Sequence, residues 1–384
     1  MINSEKNPLF KPHIEASTQY KGGVTRGENP LKAGVEKIYK MSSNENMLGA
    51  SPKALAAIQA NIDALHEYSY HDDDAFRNAL SDHFEGSLRP EQFITANSGV
   101  ELLDIFSRGF LSEGLECIVS MPTFAAYRNF ITAQNATIVD VPLIGKNFDL
   151  DVDGILSAIT DKTRMVYITN PNNPTGRLIP KSKTDAVIYN LPDHVAVVYD
   201  EVYYHYSDPR NYARANDYIQ AGKNVIGLHS FSKAYGLAGL RLGYAFSTPQ
   251  IAAYLNKIRR PFMINTLSME AGLAALTDKV HILKSIQMNT VGKEYIYQQF
   301  DRLGIDYWQT EANFILFRPP MPNNLFVPKM MEYGIMIRPT ELMGIANCTR
   351  VTIGTMEANH TFINALSAVM REALVGQEEM LATV

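Results

Sequence analysis

The sequence predicts an α/β protein: a large domain on a mostly parallel, seven-stranded sheet sandwiched by helices, with a smaller α+β domain after it. Three observations predict it. From about residue 92, seven short apolar runs rich in β-formers recur (QFITA, ECIVSM, ATIVDV, RMVYIT, VAVVYD, NVIGLHS and LRLGYAF), each followed by turn residues and a helical pattern. These runs are continuously apolar rather than alternating, which is how strands covered on both faces read. The last part of the chain changes character. ANFILF (312–317), GIMIRP (334–339) and RVTIGT (350–355) read as three strands of a separate small sheet, and MEANHTFINALSAVMREALV has apolar residues at helical spacing, closing that sheet as a C-terminal helix.

The 384 residues exceed what one typical core supports, in keeping with two domains. The reading divides the chain into an arm (1–45), a large domain (46–275) and a small domain (276–384), with helix-like segments between about 250 and 300 linking the last two. The arm, rich in Gly, Pro, Lys and Asn, is expected to join the small domain or a neighbouring subunit. Usage is that of an ordinary soluble chain, 46% hydrophobic and 20% charged, and the net charge of -5 gives no support to a nucleic-acid or anionic-membrane surface. No window approaches the roughly 18 consecutive apolar residues of a membrane span. Cys117 and Cys348 lie in apolar stretches, where buried reduced thiols are expected rather than a disulfide or metal pair. With a start, MINSEKNPLFKP, that lacks the apolar core of a signal peptide, this predicts a cytoplasmic protein.

In a parallel sheet with both faces covered, ligands collect beyond the carboxyl ends of the strands, and the unusual stretches fall there. NPNNPTG (170–176) follows RMVYIT, Asp200 closes VAVVYD, and SFSKAYGLAGLRLGY (230–244) follows NVIGLH. Each has a plain reading. Three Asn beside two prolines make a loop, YDE makes a helix cap, and a lysine after an apolar run sits in a solvated turn. Each also has a chemical reading. Asn173 would point at a ligand, a carboxylate at a buried strand end would pair with a cationic ring nitrogen, and Ser230 with Arg241 would hold an anion beside Lys233. Ser98 and Gly99, ahead of the amphipathic GVELLDIFSRGF, offer free N–H groups and a helix dipole to a phosphate, or merely a cap. Phe124, in MPTFAAY, would stack on a flat ring or fill core. There is no GxxxxGK[ST], the glycines at 236, 239 and 243 do not fit GxGxxG, and no GxSxG elbow occurs. The nine histidines show no HExxH spacing, so no metal is expected.

Taken in order, Asn173, Asp200 with Tyr203 three residues on, then Ser230, Lys233 and Arg241 resemble the fold-type I pyridoxal-phosphate aminotransferases, over essentially residues 17–375. The resemblance implies an aspartate aminotransferase-like fold, bound pyridoxal 5'-phosphate and a homodimer. Within that family SKAYGLAGLRLGY, SSNENMLGASP and NPNNPTG look most like the histidinol-phosphate subgroup, which also carries a Tyr-x-x-Gly arm, here Tyr20 to Gly23. That subgroup implies a phosphorylated amino alcohol as amine and 2-oxoglutarate, giving glutamate, as its acceptor. Departures from the family pattern are Met47 where proline is usual, HEYSYHDDD where an arginine-tyrosine-proline run is usual, NSGVE in place of GSDE, and a longer stretch between Tyr20 and Ser42.

By resemblance, Lys233 bonds the cofactor aldehyde and then carries the proton between substrate and cofactor carbons. Asp200 holds the pyridine nitrogen protonated, Asn173 and Tyr203 bond the ring oxygen, and Phe124 stacks on the ring. Ser98, Gly99, Val100, Ser230, Ser232 and Arg241 bind the phosphate, joined by Tyr68 from the other subunit. Arg350 holds the substrate's anionic group, with Tyr20, Asn46 and Arg338 as further substrate contacts. Aminotransferases for aromatic or other amino acids, a decarboxylase or lyase sharing the Asp, Tyr and Lys set, and a non-catalytic binder of the cofactor are the competing readings.

Overall fold

The computed structural model describes residues 9–17, 31–69 and 73–382, with side chains to residue 374. Thirteen strands run in chain order among them. β1 is Tyr39–Lys40, β2 Phe93–Ala96, β3 Glu116–Val119, β4 Thr137–Asp140, β5 Thr163–Thr169, β6 Ala196–Asp200 and β7 Val225–Ser230. They are followed by β8 Gly243–Phe246, β9 Tyr307–Trp308, β10 Phe314–Phe317, β11 Ile335–Met336, β12 Arg338–Pro339 and β13 Thr349–Thr352. All seven apolar runs of the sequence become strands of one sheet, in the order β2-β8-β7-β6-β5-β3-β4. The ladders β3–β4, β3–β5, β5–β6 and β6–β7 are parallel, while β8 runs antiparallel between β7 and β2.

Helices cover both faces, so β2, β6, β7 and β8 are buried along their whole length, as their unbroken apolar runs require. ATIVDV is the exception. As β4 it is one edge of the sheet, with exposed ends and a half-buried centre, whereas β2 at the other edge is fully covered. Two apolar layers result. Phe76, Phe93, Tyr199 and Phe231 lie in one, and Leu102, Phe106, Val119 and Tyr167 in the other.

The small unit departs from the three strands read in the sequence. It has a four-stranded antiparallel sheet, β12-β13-β10-β9, whose short β9 the apolar pattern did not single out. GIMIRP does not form one strand either. Its first half, β11, pairs parallel with β1 before the small domain's own sequence begins, and only its second half, β12, joins β13. Tyr39 and Met41 accordingly pack in the same core as Phe300, Phe317, Ile337 and Phe362. The C-terminal helix Met356–Ala382 and the 25-residue helix Lys279–Leu303 cover this sheet. Among the described residues no helix is long and apolar enough to cross a membrane, and Cys117 and Cys348 are buried free thiols.

Candidate active site

A cavity of about 400 Å³ opens where β5, β6 and β7 end and the small sheet faces them. Gly99, Val100, Phe124, Asn173, Asp200, Tyr203, Ser230, Ser232, Lys233, Arg241, Arg338 and Arg350, scattered over some 250 residues of sequence, all line it. The chain reaches this point under strain. Asn44, Ser98 and Arg241 take positive φ angles of 55°, 93° and 56°, a region that non-glycine residues avoid and that clusters at functional sites.

Lys233 stands partly buried, its Nζ donating to Ser43 O at 3.1 Å. Burial first, then the Arg350 charge, lowers its pKa to about 8, so a nucleophilic neutral amine becomes accessible near physiological pH. Asp200 is 7% exposed and ends β6. Its Oδ2 accepts from Tyr127 OH at 2.6 Å and its Oδ1 from Val202 N at 3.1 Å. Burial raises its pKa while these two donors pull it down. No ion pair to Asp200 forms among the described residues, so a protonated ring nitrogen has a carboxylate waiting for it.

Tyr127 was not anticipated as part of the site. It is fully buried in the helix Ala126–Ala133, bonded to both Asp200 and Thr169 Oγ1 (2.9 Å), with Phe124 edge-on at 5.5 Å. Its signal in MPTFAAY is the tyrosine three residues after Phe124, one helical turn on. Asn44 was also missed. Its N–H donates to Thr352 Oγ1 (3.0 Å) and its Nδ2 to Tyr203 OH (2.9 Å), tying the arm, the small sheet and the tyrosine together.

The expected anion cradle is present with one change. Gly99 and Val100 open the helix Gly99–Phe110, whose first N–H groups have no partner within the helix. Ser230 Oγ accepts from Ser232 N (3.1 Å), and Arg241 reaches the cavity from a left-handed turn with Nη1 on Ala238 O (2.9 Å). Ser98 does not line the cavity. It is the helix cap, its Oγ accepting from Glu101 N (3.3 Å) and its N–H donating to Ala96 O (2.9 Å). Two of the three glycines are sterically required. A Cβ on Gly243 would come to 2.6 Å of Gly99 N, and one on Gly236, at φ 71°, would overlap Gly49 O, whereas one on Gly239 would meet nothing.

Arg338 and Arg350 face each other directly across the β12–β13 ladder, 7% and 5% exposed, on the face that lines the cavity. Arg350 donates from Nη1 to Asn173 Oδ1 at 2.5 Å and from Nη2 to Ser42 O at 2.7 Å, with its guanidinium 5.2 Å over the Phe314 ring. Asn173 therefore links Arg350 to the strand ends, where the sequence placed it only beside the cofactor. Asn46 does not line the cavity. Its Nδ2 donates to Ala234 O (2.9 Å) and Ser285 Oγ (2.7 Å), pinning the SSNEN loop beside Lys233. Tyr68 is 85% exposed, its ring 4.8 Å from that of Phe262, and stands outside the cavity of its own chain. Tyr20 lies outside the described residues.

The donor set suits pyridoxal phosphate. It combines a buried carboxylate with no ion pair among the described residues, an amine of lowered basicity, a helix N-terminus with a serine and an arginine, and an aromatic ring in one cavity. The arginine pair lies beyond these groups on the small sheet.

A family profile described as aminotransferase class I and II matches residues 36–366. A histidinol-phosphate aminotransferase of Moorella thermoacetica is 37% identical over 364 residues, 94% of this chain and 93% of that protein. Histidinol-phosphate aminotransferase 2 of Carboxydothermus hydrogenoformans is 34% identical over 94% of this chain and 99% of its own. Among solved structures, the histidinol-phosphate aminotransferase of Sinorhizobium meliloti in complex with pyridoxal-5'-phosphate has a TM-score of 0.84 at 24% identity, covering 96% of this chain and 99% of that one. The aspartate aminotransferase of Thermus thermophilus with maleate has a TM-score of 0.77 at 19% identity, over 87% and 91% of the two chains.

Proposed function

The chain belongs to the class I and II aminotransferases and has their aspartate aminotransferase-like fold, and from that premise we propose that it transfers the amino group of histidinol phosphate to 2-oxoglutarate, yielding glutamate. The observation that carries the substrate is the cross-strand pair Arg338 and Arg350. Like charges set directly opposite in a ladder destabilise it, and burial makes this worse. Two guanidiniums in one wall suit a doubly charged phosphate ester, whereas a single guanidinium fork matches a single carboxylate. Arg350 alone, fixed by Asn173 and Ser42, would then receive the α-carboxylate of glutamate in the second half of the cycle.

Pyridoxal phosphate, when bound, supplies an aldehyde for the amine and an electron-withdrawing ring that spreads the charge of the deprotonated substrate carbon. The residues of the chain do the rest. Gly99, Val100, Ser230, Ser232 and Arg241 would hold the cofactor phosphate, and Phe124 would pack on the ring. Asp200, whose pKa burial raises against the pull of Tyr127 and Val202 N, would pair with the protonated ring nitrogen. Asn173 and Tyr203 serve the ring oxygen, with Tyr203 oriented by Asn44. Lys233, whose lowered pKa makes a neutral amine accessible, would be the residue that holds the cofactor's aldehyde carbon and the base that moves the substrate's Cα proton.

The reading includes a homodimer. Leu48, Leu55, Ile62, Leu65 and Tyr68 are exposed along one stretch of the chain, an apolar run that a second copy would cover while placing its Tyr68 at the phosphate. It also places the enzyme in the cytoplasm, where two free thiols stay reduced. Purified enzyme supplied with 2-oxoglutarate and histidinol phosphate, phenylalanine or tyrosine tests the substrate. Glutamate is expected with histidinol phosphate, and glutamate formed only with the aromatic amino acids would overturn the assignment while leaving the family untouched.

A further inference from the structure

A second cavity, of about 630 Å³, lies behind the first and is larger than it. Strand alternation builds the two back to back. Asp200, Leu228 and Ser230 face the candidate active site, and Glu201 and His229, their neighbours in sequence, face the second cavity. Its wall is aromatic: His229 is stacked against Tyr204 with ring centroids at 4.2 Å and against Phe84 at 5.9 Å, and Tyr235 and Phe246 line the same space.

Glu201 is already satisfied in this cavity. Its Oε1 accepts from Tyr212 OH (2.8 Å) and Ala215 N (3.0 Å), and its Oε2 lies 3.1 Å from His229 Nε2. The remaining polar lining is not. Arg214 and Lys279 form no ion pair among the described residues. Asn216 gives its Nδ2 to Ser87 Oγ at 3.0 Å, but its Oδ1 is buried and accepts no hydrogen bond there. Glu85 stands on the same wall. Desolvation, with His229 and His83 close by, holds His205 well below its ordinary pKa and keeps that ring neutral.

We propose that this cavity is a second binding site, for a zwitterionic α-amino acid with a planar side chain. The carboxylate pairs with Arg214 and Lys279, the ammonium pairs with the Glu85 carboxylate on the same wall, and the planar group packs against Phe84, Tyr204 and Tyr235. The site is separate from the reaction and does not depend on which amine the enzyme consumes.

α-Methylphenylalanine tests it, since it keeps both charges and the ring but has no Cα hydrogen for transamination to remove. The probe is titrated calorimetrically into the holoenzyme and into the Arg214→Ala, Glu85→Gln and Arg350→Ala variants, the last removing an anion donor of the first cavity. The expected result is binding retained in Arg350→Ala and weakened about tenfold in Arg214→Ala and in Glu85→Gln. 3-Phenylpropionate and phenethylamine, each lacking one charge, are expected to bind about tenfold more weakly than the probe. No binding, binding unchanged in Arg214→Ala, or binding lost in Arg350→Ala would each overturn the proposal. Arg214 is exposed, so its variant reports on the ligand rather than on folding.

Discussion

The carboxyl edge of the large sheet and the small four-stranded sheet bring charged groups to the same cavity by different means. At the large sheet each group stands at or just after a strand end: Asp200 closes β6, Ser230 closes β7, and Lys233 follows three residues later. At the small sheet the charges are set by register, Arg338 opposite Arg350 across an antiparallel ladder. The first arrangement depends on local turns at strand ends. The second depends on how two strands meet, and it can change with the substrate while the first stays fixed.

Substitutions can break this comparison in turn. Lys233→Ala removes the only amine placed to move the proton and should lower transamination by about 10²–10⁴-fold with any amine, measured as glutamate release, with an unchanged melting temperature showing that the fold survives. The two arginines should separate. Arg350→Ala should raise KM about 10–100-fold for both histidinol phosphate and glutamate, the loss of a charge-assisted contact, while Arg338→Ala does so for histidinol phosphate with little change for glutamate. Equal effects of Arg338→Ala on both substrates would remove the case for a dianion.

Tyr127→Phe sharpens the large-sheet half. It deletes one of two donors to a buried carboxylate and should weaken cofactor binding about tenfold, read from cofactor titration of the apo-protein, with Asp200 otherwise in place. pH tests the lysine. Its pKa is lowered, so the amine loses its proton at lower pH than an ordinary lysine, and the rate of cofactor capture by apo-protein should rise with pH and level off above about 8. An inflection near the ordinary lysine value would mean that the amine is not desolvated. The smallest effects come from the glycines: Gly239→Ala should be nearly silent, whereas Gly236→Ala should lower the melting temperature because its Cβ would overlap Gly49 O at a positive φ.

Much of the cofactor half was legible because covalent chemistry restricts residue type. An amine, a carboxylate at a strand end and an arginine after a glycine-rich turn can be read one residue at a time. Ser98 shows the limit of that method, since a serine before a helix reads alike as phosphate ligand and as cap, and only the fold shows its Oγ accepting from Glu101 N. Asn44 and Asn46 show it again. Both stand in SSNEN with equal donors, and only the left-handed turn at Asn44, which aims its amide at Tyr203 while Asn46 turns to Ala234, separates them. The division of GIMIRP between β1 and β13 was likewise unreadable, because an apolar run does not say which strand it will pair with.

By itself the sequence determined the strand-and-helix order, the seven strands of the large sheet, and the lysine, carboxylate and arginine that suit one cofactor. These follow from local periodicity and from chemistry that tolerates few residue types. Tertiary structure alone decided that Arg338 and Arg350 stand side by side, that Tyr127 supports Asp200, and that a second cavity backs onto the first. Each of these depends on strand register or on alternation across a sheet, and a pairing between segments distant in sequence is fixed only when the whole core packs.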